Sequence, residues 1–171
     1  MKKMISGFLG LTMIVGFSSA AFANESTIAS GDDSTYPKFV KIQKPSLAVI
    51  GDADEVEPNN TPGYADEVPE GNINGVVSGS GDIDWFFFNA TDSVSTSAYV
   101  FFQEDSAGNN LSGTITLYKE NTDGTLTRIG SSTGEEWEYV DFNAVEGKNY
   151  YVKITTSSSK NVPYMVEYPA F

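Results

Sequence analysis

Glu55, Glu57, Asn59 and Asn60 stand close together in the chain, and Asp82 and Asp84 follow at the head of a strongly apolar run. All six offer hard oxygen donors. In an extended segment alternate side chains project to one side, so Glu55, Glu57 and Asn59 can converge on one point. Asp82 and Asp84 share that alternation. Calcium takes about six to eight oxygens from carboxylates, amides, backbone carbonyls and water, whereas magnesium keeps several waters and uses fewer protein groups. Two such segments meeting would fill much of a calcium shell. The competing reading is a solvated acidic linker, which composition alone favours because charge runs usually face water. No EF-hand loop is present, since Asp52-x-Asp54 lacks the following Asx-Gly and the distal Glu.

Other chemistries lose their central parts. The 171 residues contain no Cys and no His. That excludes a thiol nucleophile, a disulfide framework, an imidazole base and the common zinc sites. Twenty-three acidic residues against 10 basic ones give a net charge of −13, which argues against nucleic acid as a partner. A glycosidase would need an acid and a nucleophile facing each other across a cleft. Here the carboxylates crowd a linker and turns, where a metal explains them better. The chain is therefore expected not to be an enzyme.

The elements that must position these residues are strands. Lys2 and Lys3, an apolar stretch over Ile5–Phe17 and Ala21-Phe22-Ala23 predict a signal peptide over residues 1–23, with Asn24 first in the mature chain. The stretch is shorter than the roughly 20 residues of a spanning helix, so secretion is expected rather than membrane anchoring. Residues 24–50 read as a flexible arm or linker, with one edge strand at Phe39–Ile42. Thr61 before Pro62 predicts a short helical turn running to about Glu67. Strands are predicted over Gly75–Gly79, Ile83–Ala90, Ser97–Gln103, Ser112–Lys119, Leu126–Gly130, Glu136–Asn143 and Asn149–Thr156, and after Pro163. Asn121-Thr122-Asp123-Gly124 is a hairpin signal. Residues 51–171 should form one all-β domain, an antiparallel sandwich or jelly roll of about eight strands. Trp85, Phe87, Val152 and Ile154 are expected in its core.

Several segments together carry a resemblance. They are Glu55-Val56-Glu57-Pro58-Asn59-Asn60-Thr61, Ala65-Asp66, Asn74-Gly75 and Gly81-Asp82-Ile83-Asp84-Trp85-Phe86-Phe87-Phe88. The pattern continues in Leu117-Tyr118-Lys119, Gly147-Lys148-Asn149-Tyr150-Tyr151-Val152-Lys153-Ile154 and Tyr164-Met165-Val166. From about Asp54 to Tyr168 the chain resembles the bacterial pre-peptidase C-terminal domain, which is related to the collagen-binding domains of clostridial collagenases. The resemblance implies a secreted β-sandwich in which calcium joins the N-terminal linker to the sandwich. It implies Glu55, Glu57 and Asn59 as linker ligands, with Asn60 beside them, and Asp84 and Asp82 as ligands from the sandwich. Gly81 stands where some calcium-binding members carry Asp, which removes one ligand. Collagen-binding relatives present aromatic residues on a sheet face, and Thr155 after Ile154 departs from that pattern.

The expected function is a secreted, acidic, non-catalytic, calcium-binding module that holds an extracellular protein or matrix ligand. A calcium-dependent carbohydrate-binding module is the alternative. Tyr99, Tyr118, Tyr139, Tyr151 and Trp137 are candidates for a binding face, with packing as the competing role for each. Trp137 lies among Glu135, Glu136 and Glu138, which suggests exposure. The sequence leaves the ligand and the oligomeric state open.

Overall fold

The computed structural model describes residues 35–42, 44, 53–68 and 70–171. The expected signal peptide and most of the expected arm lie outside these residues. The strands are β1 (Thr35–Tyr36), β2 (Ala53–Asp54), β3 (Asp66–Glu67), β4 (Asn72–Ser78), β5 (Ile83–Asn89), β6 (Ser95–Phe102), β7 (Ser112–Glu120), β8 (Leu126–Glu135), β9 (Trp137–Asn143), β10 (Asn149–Thr155) and β11 (Asn161–Glu167). They form two sheets. Sheet A runs β1-β8-β7-β10-β5-β3 and sheet B runs β2-β4-β11-β6-β9. The eight long strands, β4 to β11, are those the alternation predicts, and their ladders are antiparallel. The sandwich differs from a purely antiparallel one only in β2 and β3, which add short parallel pairs to β4 and β5. The expected helical turn is one 3-10 turn, Pro62–Tyr64, without a side-chain cap from Thr61. It stops short of Glu67 because Asp66 and Glu67 join the sheet.

The space between the sheets is filled by alternate residues of each long strand. Phe86 and Phe88 of β5, Val152 and Ile154 of β10, Ile73 of β4, Val100 of β6 and Tyr164 and Val166 of β11 are all buried there. β5 is apolar on both faces, which an antiparallel strand with one wet face would not be. The reason is a second cluster on the outer face of sheet A. Ala65, Trp85, Tyr118, Leu126 and Tyr151 form it, and Tyr36 and Phe39 pack onto it. Tyr36 meets Trp85 edge-on at 5.1 Å, and Phe39 meets Tyr151 edge-on at 5.4 Å.

This corrects two readings. The edge strand of the 24–50 segment falls at Thr35–Tyr36, paired to Thr127 and Leu126, and not at Phe39–Ile42. Trp85 is buried as expected, in this outer cluster, whereas Phe87, also expected in the core, is only partly buried against it. Lys41 lies over the rings of Phe87 and Tyr151, at 5.2 and 5.3 Å, and pairs with Glu120 at 3.0 Å. Ile42 donates its N–H to the Gly63 carbonyl. Among the described residues no helix is long and apolar enough to cross a membrane.

Candidate metal centre

Three segments meet at one end of the sandwich. β2 places Glu55 beside β4, where its N–H donates to the Asn74 carbonyl at 2.9 Å. The chain then crosses toward sheet A, where Trp85 N–H donates to the Asn59 carbonyl at 3.0 Å. Asp84 is the first inward-facing residue of β5, paired with Ile154 of β10. Asp82 precedes it in a tight turn, accepting Ser78 N–H at 2.7 Å and Ile83 N–H at 3.0 Å.

The ligand oxygens of Glu57, Asp82 and Asp84 lie within 4.8 Å of one another, a group able to hold a metal ion. Asn59 and Asp84 are wholly buried, and one side-chain oxygen of each, Asn59 Oδ1 and Asp84 Oδ1, has no hydrogen-bond partner among the described residues. Buried polar atoms normally find partners, so a group of three carboxylates that includes the orphaned Asp84 Oδ1, with the orphaned Asn59 Oδ1 two residues from Glu57, fits a hard cation. Glu55 is tied to this group differently. Its Oε1 accepts Val76 N–H at 2.7 Å, while its Oε2 accepts Tyr164 Oη–H at 2.8 Å and Asn59 Nδ2 at 3.3 Å. Asn60 is exposed and makes no hydrogen bond to the cluster among the described residues.

Tyr164 is the residue that the spacing of carboxylates did not reveal. Its hydroxyl, buried in sheet B, also lies 2.7 Å from Asp84 Oδ2 in sheet A. One phenolic proton thus sits between two carboxylates. Burial pushes Asp84 up to about 8, and the neighbouring Glu55, Asp82 and Glu57 add to the rise against the opposing Tyr164 hydrogen bond. Burial raises Glu55 as well. The cluster therefore concentrates negative charge that burial disfavours, in a group able to hold a metal ion.

Gly75 was legible as part of the Asn74-Gly75 motif, and its role is now visible. It faces Tyr164 across the β4–β11 ladder. A Cβ at Gly75 would collide with the Tyr164 ring and hydroxyl and lie 2.7 Å from Glu55 Oε2. On the other side of the linker, Asp66 accepts Val56 N–H at 2.9 Å and Lys44 Nζ at 2.8 Å, and Lys44 also donates to the Val56 carbonyl. Lys44 therefore helps hold the linker and is not the indifferent arm residue that its position in sequence suggests. Of the five candidate face aromatics, Tyr118 and Tyr151 are buried under the 35–42 segment, while Trp137 and Tyr139 are exposed.

No protein-family model and no curated protein matches the chain. Among solved structures, the chain is similar to the pre-peptidase C-terminal domain of collagenase from Bacillus anthracis, with 17% identity and a TM-score of 0.43 over 74% of this chain and 98% of that one. It is also similar to the Yersinia pseudotuberculosis-derived mitogen, with 14% identity and a TM-score of 0.42 over 56% of this chain and 80% of that one. Likenesses of this size carry no argument about function.

Proposed function

We propose that the chain is a secreted, non-catalytic binding module of the pre-peptidase C-terminal type, in which calcium ties the linker at residues 55–59 to the sandwich. Glu57, Asp82, Asp84 and the amide oxygen of Asn59 are its side-chain ligands. Glu55 is held by Tyr164 and Val76 beside them, and Asn60 lies outside the set. The observation that carries the reading is the meeting of three carboxylates, one of which, Asp84, keeps a buried oxygen without a partner, as Asn59 of the linker also does. A non-catalytic role is supported by the absence of His and Cys and by carboxylates that converge on one point instead of lining two walls of a cleft. The ligand of the module is an extracellular protein or polysaccharide.

A cation that binds only the folded form stabilises it by RT ln(1 + [L]/Kd), about 2.7 kcal/mol at roughly 100 times Kd. The melting temperature should rise in millimolar calcium relative to chelator, with a matching heat of binding in calorimetry. Asp84→Asn should remove most of this rise. Equal melting in calcium and chelator, with no heat, would show that the cluster holds no calcium and overturn the reading.

A further inference from the structure

We propose that the outer face of sheet B binds a linear polysaccharide free of anionic groups, laid along β6 and β9. This rests on the reading of the chain as a binding module and supplies its ligand class; it does not require calcium. Four aromatic residues share this face in two cross-strand pairs, Phe101 with Trp137 and Tyr99 with Tyr139. Ring centroids are 5.0 Å apart in the first pair and 5.7 Å in the second. Trp137 is 49% exposed and Tyr139 53%. Large aromatic side chains left open side by side on an acidic protein mark an interaction surface.

The strip does not end with the rings. Along the same two strands the next outward pairs are Ser97 with Asp141 and Ser95 with Asn143, each hydrogen-bonded across the ladder. These last pairs border a shallow depression of about 330 Å³. A second, of about 580 Å³, opens at the other end beside Phe101, Gln103, Glu104 and Trp137. From Trp137 to Asn143 the track is roughly 20 Å long at the rise of a strand. Flat rings can stack on the apolar faces of sugar rings, and the hydroxyl, amide and carboxylate groups beyond them match sugar hydroxyls.

Charge selects among occupants. The outward positions of sheet B carry Asp54, Glu167 and Asp141, and no Lys or Arg is among the described residues there. An anionic polymer is repelled. A second copy would set these carboxylates against themselves, on chains of net charge −13 each.

The test is retention of the full chain on cellulose, mannan and chitin, with heparin and polylysine as charged controls, each in calcium and in chelator. Wild type should be retained on at least one of the three neutral polymers and excluded by heparin. Trp137→Ala and Tyr139→Ala should each weaken retention about tenfold, the loss expected for an interface anchor, and the double variant should abolish it. Both residues are exposed, so the variants should keep the wild-type melting temperature and its calcium response. Asp84→Asn should keep retention, so that a failure of the calcium site and a failure of this face can be told apart. The proposal is overturned by no retention on any neutral polymer, by retention that survives the double variant, or by capture on heparin or polylysine alone.

Discussion

At Asp84 a carboxylate sits where a sandwich normally buries hydrocarbon, and its ionisation is set by what surrounds it. Without a cation its folded form holds a proton up to about pH 8, against an ordinary carboxylate value near 3.8. The folded state then binds more protons than the unfolded one. Stability from this group is fully present below the unfolded value and is lost as pH rises through the folded one. In chelator the melting temperature should fall between pH 5 and pH 8.5; in saturating calcium, which replaces the proton, the fall should flatten. A flat profile in chelator would show that Asp84 is ionised throughout. The carboxylates were legible because alternation in an extended segment groups them by side. Tyr164 was not, because it reaches Asp84 from the opposite sheet, about 80 residues on in the chain, and local spacing carries no trace of such a meeting. Lys44 escaped for the same reason, so the control substitution for the calcium experiment is a lysine away from the linker, such as the half-buried Lys148.

Among the elements, the eight long strands were legible from period-2 alternation, to within two or three residues at most ends. β8 was the exception. The sequence marks Leu126–Gly130, yet the strand continues to Glu135. Its second half is Ser, Thr, Gly and Glu, with no apolar alternation to read, and hydroxyl pairs such as Thr114–Thr133 at 2.8 Å join it to β7. The 35–42 segment was obscured by Lys38, Lys41 and Pro37, which read as solvated. Tyr36 and Phe39 point inward from the same segment. Replacing both with Ala should lower the urea midpoint, at a cost of about 2–4 kcal/mol for two partly buried aromatics. An unchanged midpoint would mean that the segment merely rests on sheet A. β4 and β11 depend on Gly75 in another way. Gly75→Ala should destabilise the domain by about 1–3 kcal/mol by overpacking against Tyr164, and it should weaken the calcium-induced shift in melting. Normal stability with an unaltered calcium response would place the Tyr164 ring elsewhere.

On the scale of the whole molecule, the sandwich has one apolar layer between its sheets and a second outside sheet A, which only the packing of a segment far away in sequence could disclose. Its two tryptophans fall on opposite sides of that arrangement. Trp85 is wholly buried beneath Tyr36, and Trp137 stands half open on the outer face of sheet B. The molecule consequently carries two fluorescent reporters that sense different events. Acrylamide, a neutral quencher that an acidic surface does not repel, should extinguish the Trp137 emission and leave a blue-shifted residue from Trp85. In a Trp137→Phe background quenching should be slight, and it should rise when Tyr36 and Phe39 are removed. Equal quenching of both tryptophans in the intact chain would contradict the burial of Trp85. A sugar polymer seated on sheet B should shield the first signal while leaving the second untouched, so occupancy of one face and closure of the other can be followed in a single cuvette.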